Sequence, residues 1–385
     1  MKVLYDYQAF HYQEFGGVSK GICEFIGHLP EDIEIEIAIR QSNNVHLKAL
    51  GIVEGLQPMK FTRKTFLGGV DSRIKNLIYN GLNYFPFYKT PKNINRECSI
   101  KALEKGDYDV FVPTFYDTYF LKHIKRPFIL EVHDLTNEVM HTDARVDSQV
   151  RNRQQLIEKA SLFLLPSHNT KKDLERIYNV DSSKIIVLHR GAPDIDDSLF
   201  ETGPIYSDPY LLFVGARRVP YKNFVPFVKS CSTVIKKYNL KIVCTGEDFS
   251  TSEKELFREL GIEDRMICRF FSSEELQRLS HYAKAFVFPS SYEGFGLPVL
   301  EAMKCGCPTI LNNASCFPEI ASDAALYFEM NQSEDNLGEV LENLLVNYEV
   351  LRPKLVEAGF RRVEMFKWEN ASANLAEVLR KAAAL

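Results

Sequence analysis

The chain has 385 residues, a length for two domains at roughly 100–200 residues each. Its 45% hydrophobic and 25% charged content suits a globular protein with two buried cores, and a net charge of −4 is too mild for nucleic acid as the main partner. No apolar run approaches the ~18–20 residues of a membrane span, so membrane contact is expected to be peripheral at most.

In chain order, Met1-Lys-Val-Leu-Tyr-Asp-Tyr lacks the apolar core of a signal peptide and reads as a first strand. Val3–Tyr5, Ile33–Ile39, Val110–Val112, Phe128–Val132, Leu162–Leu165 and Ile185–Leu188 read as buried strands. Gly17–Gly27, Arg145–Lys159 and Asn169–Tyr178 read as helices between some of them. Alternating strands and helices predict a parallel sheet with helices on its faces. The rhythm stops at Gly191–Pro209, where Pro193, Pro204, Pro209 and the acids Asp194, Asp196 and Asp197 read as a linker. It restarts with strands Leu211–Val214, Lys241–Cys244, Met266–Cys268, Ala285–Phe288 and Thr309–Leu311. Phe224–Tyr238, Ser252–Leu260, Ser273–Tyr282 and Leu297–Cys305 are the intervening helices. The expected fold is α/β, two doubly wound domains joined near residue 200 and facing a cleft, with ligands beyond the carboxyl ends of the strands.

Two features of composition bear on partners and compartment. Residues 60–105 hold ten Lys or Arg against three acids, a local net of +7, together with Phe61, Phe66, Tyr79, Tyr84, Phe85, Phe87 and Tyr88. This mixture suits either an anionic membrane surface or an ordinary solvated face with some core. The eight cysteines form no C-x-x-C and no zinc-ligand spacing, which reads as reduced, buried thiols in a cytosolic protein.

The chemistry concentrates in Phe286-Val-Phe-Pro-Ser-Ser-Tyr-Glu-Gly-Phe-Gly-Leu-Pro-Val-Leu-Glu-Ala-Met. A strand ends at Pro289, a Gly-rich turn follows at Glu293–Gly296, and a helix opens near Leu297 with Pro298 in its first turn. Backbone N–H groups of such a turn, added to the partial charge of a helix start, suit a diphosphate. Glu293 and Glu301 supply carboxylates that accept from neighbouring hydroxyls, as ribose or sugar recognition requires. By itself a Gly-x-Gly turn is equally a plain strand–turn–helix. It is also not the dinucleotide fingerprint, because Val299 stands where glycine is needed.

The full string resembles the signature of the retaining glycosyltransferases of the GT-B fold in glycosyltransferase family four. Glu293, Gly294, Phe295, Gly296, Leu297, Pro298, Glu301, Ala302 and Met303 stand at its positions, with the two glutamates separated by seven residues. Phe213-Val-Gly-Ala-Arg-Arg-Val-Pro-Tyr-Lys-Asn resembles the family's strand and loop that bring an Arg and a Lys to the donor diphosphate, which carries those roles to Arg217 and Lys222. The commoner family form has Arg where this chain has Ala216, so Arg218 competes with Arg217 for the role. Gly16-Gly17 resembles the family's N-terminal Gly-Gly loop, and Glu131-Val-His-Asp puts His133 at the family's active-site histidine. Leu164-Leu-Pro-Ser-His resembles a serine-bearing loop, although Ser167 reads equally as a helix N-cap.

The resemblance implies a first domain over 1–200 that binds the acceptor and a second over 201–366 that binds the nucleotide sugar. The closing helix, 367–385, is expected to cross back to the first domain. It implies transfer of a hexose, mannose from GDP-mannose favoured and UDP-hexoses open, to a hydroxyl of a glycan or lipid-linked acceptor. The expected setting is surface polysaccharide synthesis, in the cytoplasm or at the inner face of its membrane. Configuration is expected to be retained, with no cofactor and no metal. The catalytic set it implies is His133, Glu293, Arg217 and Lys222. The donor-binding set is Gly16, Gly17, Gly294, Phe295, Gly296, Leu297 and Glu301. The rival readings are a nucleotide-sugar epimerase and a non-catalytic nucleotide-sugar-binding subunit of the same fold.

Overall fold

The computed structural model describes residues 1–60, 77–79, 81–82, 88–140, 146–331 and 334–385. These form two compact units. The first comprises Met1–Pro166, Lys171–Leu188 and Trp368–Leu385; the second comprises Ser167–Thr170 and His189–Lys367.

The first unit carries β1 (Lys2–Tyr5), β2 (Glu34–Ile37), β3 (Val110–Val112), β4 (Ile129–Glu131), β5 (Leu162–Leu165) and β6 (Ile185–Val187). They pair in parallel as β2-β1-β3 and β4-β5-β6, and a single parallel bridge from Phe111 to Phe128 joins the two sets. Uniformly apolar strands such as Val110-Phe-Val and Leu162-Phe-Leu-Leu are buried along their whole length, as a sheet covered on both faces requires. The helix Gly17–Gly27 turns Ile22, Cys23, Phe25 and Ile26 inward. The last helix, Trp368–Ala383, belongs to this unit. Trp368 meets Phe25 edge-on at 5.1 Å, Ser372 Oγ donates to the Phe25 carbonyl at 3.0 Å, and Arg380 pairs with Asp32 at 2.8 Å.

The second unit is one six-stranded parallel sheet of β7 (Tyr210–Phe213), β8 (Lys241–Thr245), β9 (Met266–Arg269), β10 (Ala285–Phe288), β11 (Thr309–Asn312) and β12 (Ala325–Phe328). The order β12-β11-β10-β7-β8-β9 is the doubly wound order of mononucleotide-binding sheets, and it reverses between β7 and β10. Capping boxes, Ser250 with Glu253 and Ser272 with Glu275, set the starts of the helices Thr251–Glu259 and Ser273–Tyr282.

The structure differs from the sequence reading in where the units divide, in how the linker packs and in elements not read from sequence. The chain enters the second unit at His189, not near residue 200. The irregular segment after it packs onto that unit: Phe200 stacks on His281 at 4.0 Å, Tyr282 donates to the Phe200 carbonyl at 2.5 Å, and Arg278 donates to the Gly203 carbonyl at 2.8 Å. Helix breakers report irregular backbone, not an absence of packing. The strand β12 and the helices Leu337–Val346 and Tyr348–Val363 are elements that the sequence reading lacks. The basic stretch 60–105 falls in part on residues 61–76, 80 and 83–87, which lie outside the described residues. In its described part, Lys101 pairs with Glu97 and Lys105 with Asp107.

Candidate active site

The carboxyl ends of β7 and β10 meet where the strand order reverses, and there Lys222 and Glu293 come together. After β7 the chain makes a short helical turn, Pro220–Lys222, and enters the helix Phe224–Lys237 through Asn223. Asn223 has φ +53°, the left-handed region that asparagine tolerates better than most residues. Its side-chain amide donates to the Pro289 carbonyl at 2.9 Å and to Ser291 Oγ at 2.7 Å, and the Ser291 N–H donates to the Tyr221 carbonyl at 2.8 Å. These bonds fasten the loop after β7 to the loop after β10. Lys222 Nζ is thereby held in an ion pair with Glu293 Oε1, with the two side chains only 15% and 16% exposed. The ammonium also stands over the rings of Tyr221 and Phe288, at 5.2 and 5.5 Å.

The Gly-rich turn is fixed from the other side by Ser315. Its hydroxyl accepts from the Glu293 N–H at 3.1 Å and donates to the Glu293 carbonyl at 2.7 Å. Gly296 has φ +86°, and a Cβ there would stand 3.2 Å from the Phe317 ring, so both conformation and space call for glycine. It precedes the helix Leu297–Lys304, whose start has no side-chain cap and Pro298 in its first turn. At that start Pro298 has no N–H and the Val299 N–H donates to the Gly296 carbonyl at 2.9 Å, which leaves the Leu297 N–H and the positive end of the helix dipole, separated from Glu293 by three residues. Glu301 lies half-buried on the same helix. Phe295 turns its side chain into the core, so only its backbone is available to a ligand. It is buried, with its ring 5.8 Å from Phe366 and 6.0 Å from His189, and it anchors the turn to the core.

Arg217 does not stand beside Lys222 as a second exposed cation. Its side chain is 4% exposed, with Nε 3.0 Å from Glu253 Oε1. The rest of the guanidinium donates to the Glu247 carbonyl at 2.5 Å, to Cys268 Sγ at 2.9 Å and to the Thr245 carbonyl at 3.4 Å, and it stacks over Phe249 at 4.8 Å. Burial pushes the Glu253 carboxyl up, but the Ser250 backbone and hydroxyl bonds and the Arg217 contact outweigh it and hold the group below its usual range. Arg218 points outward instead, 56% exposed, and pairs with Glu247 at 3.1 Å. A run of charges reads as a solvated loop, and nothing in Arg217-Arg218 signals which of the two turns inward. Asn223 and Ser315, which hold the site together, were likewise not singled out; the Asn after Tyr221-Lys222 was the available signal.

In the first unit, His133 follows β4 and is 8% exposed. Its backbone N–H donates to Tyr116 Oη at 3.0 Å, and its Nδ1 lies 3.1 Å from Glu131 Oε1. Gly16 and Gly17 open the helix Gly17–Gly27. Gly16 leaves room for the Gln13 carboxamide, which a Cβ would meet at 2.3 Å and which accepts the Ser19 N–H at 3.0 Å. Ser167 is a helix cap, accepting the Thr170 N–H at 3.1 Å.

Among the described residues, His168, His189 and Glu319 bring three potential metal-ligating atoms within 4.8 Å of one another. The Glu319 carboxylate accepts from the N–H groups of His168 and Asn169 at 2.8 and 3.2 Å, and His189 Nε2 lies 2.7 Å from it. Burial raises the Glu319 carboxyl, yet these bonds hold it below its usual range. Their evident role is to fasten residues 167–170 to the second unit.

Residues 195–362 match the family model of glycosyl transferases group 1. The chain is 26% identical over 282 residues to O-antigen chain mannosyltransferase B of Escherichia coli, covering 69% of this chain and 72% of that protein. It is 33% identical over 172 residues to O-antigen chain mannosyltransferase RfbU of Salmonella typhimurium, an alignment that spans 44% of this chain and 47% of that protein. The fold matches that of Anabaena HepE, crystallised with UDP-glucose, at a TM-score of 0.70 and 14% identity, over 99% of this chain and 100% of that one. Among the described residues no helix is long and apolar enough to cross a membrane.

Proposed function

From a chain that belongs to the group 1 glycosyl transferases through its second unit, and has the GT-B fold, we propose a retaining transfer of a hexose from a nucleoside diphosphate sugar to an acceptor hydroxyl. Mannose carried by GDP is the favoured donor, since the relatives over both alignments are O-antigen mannosyltransferases. A glycan or lipid-linked acceptor of surface polysaccharide synthesis follows from the same relatives.

The observation that carries the reading is the Lys222–Glu293 pair beside the uncapped helix start at Gly296–Leu297. Negative charge grows on the leaving diphosphate as the sugar bond breaks. A positioned ammonium and the positive end of a helix stabilise that charge more in the transition state than in the bound donor. Together they supply the positive end that a divalent ion would otherwise provide, which is the reason for proposing metal-independent transfer. Before donor enters, Glu293 neutralises Lys222. With donor bound, the diphosphate takes the ammonium, and Glu293 is released to accept from sugar hydroxyls. Glu301, further along the same helix, accepts from the ribose. Arg217 acts in this scheme by shaping the loop that presents Lys222. His133 contributes from the first unit as a hydrogen-bonding group at the sugar.

Lys222→Ala and Glu293→Ala are each expected to lower transfer by about 10²–10³-fold or more with the fold intact by circular dichroism. Turnover retained in either variant would overturn the site assignment.

A further inference from the structure

The end of β4 carries a second polar side chain that the proposed reaction has not used. The strand finishes at Glu131, and its pairing continues for one more residue, with the Val132 N–H donating to the Leu164 carbonyl at 2.9 Å. Side chains two apart on extended backbone project to the same face, which brings Glu131 and His133 together. Glu131 Oε1 lies 3.1 Å from His133 Nδ1, with the side chains 13% and 7% exposed. Glu131 also lines a cavity of about 20 Å³ whose other walls include Tyr5, Ile22, Phe25, Leu165 and Leu375. That volume has room for a single water. Its mainly apolar walls give the carboxylate little solvation, so its close approach to the imidazole counts.

We propose that Glu131 is a positioning residue that fixes the tautomer and orientation of His133. A carboxylate can only accept from the neutral ring, so the proton resides on Nδ1 and Nε2 keeps its lone pair. Nε2 then accepts from a hydroxyl of the bound sugar. The rest of the environment holds the ring in place: Tyr116 accepts the His133 backbone N–H, and the rings of Tyr116 and Phe115 flank the imidazole at 6.0 and 6.4 Å. Arg153, buried beside Glu138, stands over the ring of Tyr116 at 4.3 Å and donates to the Asp134 carbonyl at 2.9 Å. The inference rests on the placing of His133 at the sugar in the preceding section, and its test separates the two.

Nitrogen-15 NMR of the histidine rings in the full chain is expected to find His133 protonated at Nδ1 in the wild type. In Glu131→Gln, whose amide can present either an oxygen or an N–H, it is expected to find a mixture of tautomers. The same variant is expected to lower kcat about 10–100-fold, with the KM for sugar nucleotide within about twofold. Glu131→Asp, which keeps the charge, is expected to recover part of the rate. An Nε2-protonated ring in the wild type, or an unchanged tautomer and kcat in Glu131→Gln, overturns the proposal. A tautomer that shifts while His133→Ala keeps full turnover supports the hold of Glu131 and overturns the placing of His133 at the sugar.

Discussion

Lys222 and Arg217 leave the same strand within one loop, yet their side-chain chemistry sends them different ways. A guanidinium is planar, offers five donors and is weakly hydrated, so it can be buried against converging carbonyls and a carboxylate; an ammonium is a compact charge that a ligand can take over from a carboxylate. Arg217 has the first environment, with Glu253 and the carbonyls of Thr245 and Glu247, and Lys222 has the second, with Glu293. Removing one partner of a buried pair strands the other, so Arg217→Ala is expected to cost about 3–5 kcal/mol in urea unfolding, and Arg218→Ala less than about 0.5 kcal/mol. Equal small costs for both would contradict the buried role of Arg217. His11, in the first unit, is a residue-scale probe of pH. Burial, aided by the charge of Lys92, lowers its pKa to about 4. The unfolded chain therefore takes up a proton near pH 6.5 that the folded chain refuses until about 4, so the stability from this site is present above about 6.5 and is lost as pH falls between those values. His11→Gln is expected to flatten that part of the pH–stability curve, and an unchanged slope would contradict it.

Among the elements, the Gly-rich turn was the most legible and also the most dependent on its neighbours. Strand, turn and helix could all be read from Phe286–Met303, because a short apolar run, two glycines and a proline each restrict the backbone locally. The reason Gly296 is needed is partly non-local: its left-handed φ meets the ring of Phe317, which arrives from beyond β11. Gly296→Ala is expected to cost about 1–2 kcal/mol from backbone conformation, plus the contact with Phe317, and to lower transfer by displacing the helix start. Full stability and rate in that variant would deny the turn its role. The strand β12, by contrast, is four residues of mixed burial, Ala325-Leu-Tyr-Phe, and acquires its identity by pairing with β11.

For the whole molecule, each unit has its own buried core, and the second contains the sheet, the ion pair and the helix start proposed to hold the donor. A ligand that binds only the folded state raises stability by an amount set by its concentration over its Kd, about 2.7 kcal/mol at a hundredfold excess. In a thermal-shift panel of sugar nucleotides, GDP-mannose is expected to raise Tm most, with the same shift in EDTA. Lys222→Ala is expected to remove most of the effect. A larger shift from a UDP-hexose would replace the favoured donor, and a shift that required added Mg²⁺ would overturn metal-independent binding.

By itself, the sequence determined the kind of chain this is and where its chemistry is proposed to lie. Hydrophobic runs of strand and helix length set the α/β alternation. The string Glu293–Met303 placed the Gly-rich turn and the helix start, since both depend on residues adjacent along the chain. What only the tertiary structure decided is how distant residues share the work. It turned Arg217 inward to Glu253, set Asn223 and Ser315 to hold the loops carrying Lys222 and Glu293, and drew Phe295 into the core. It also packed the irregular segment after His189 onto the second unit. Each of these depends on contacts between residues tens of positions apart, whose free energy is set by burial and hydrogen-bond partners that no local pattern records.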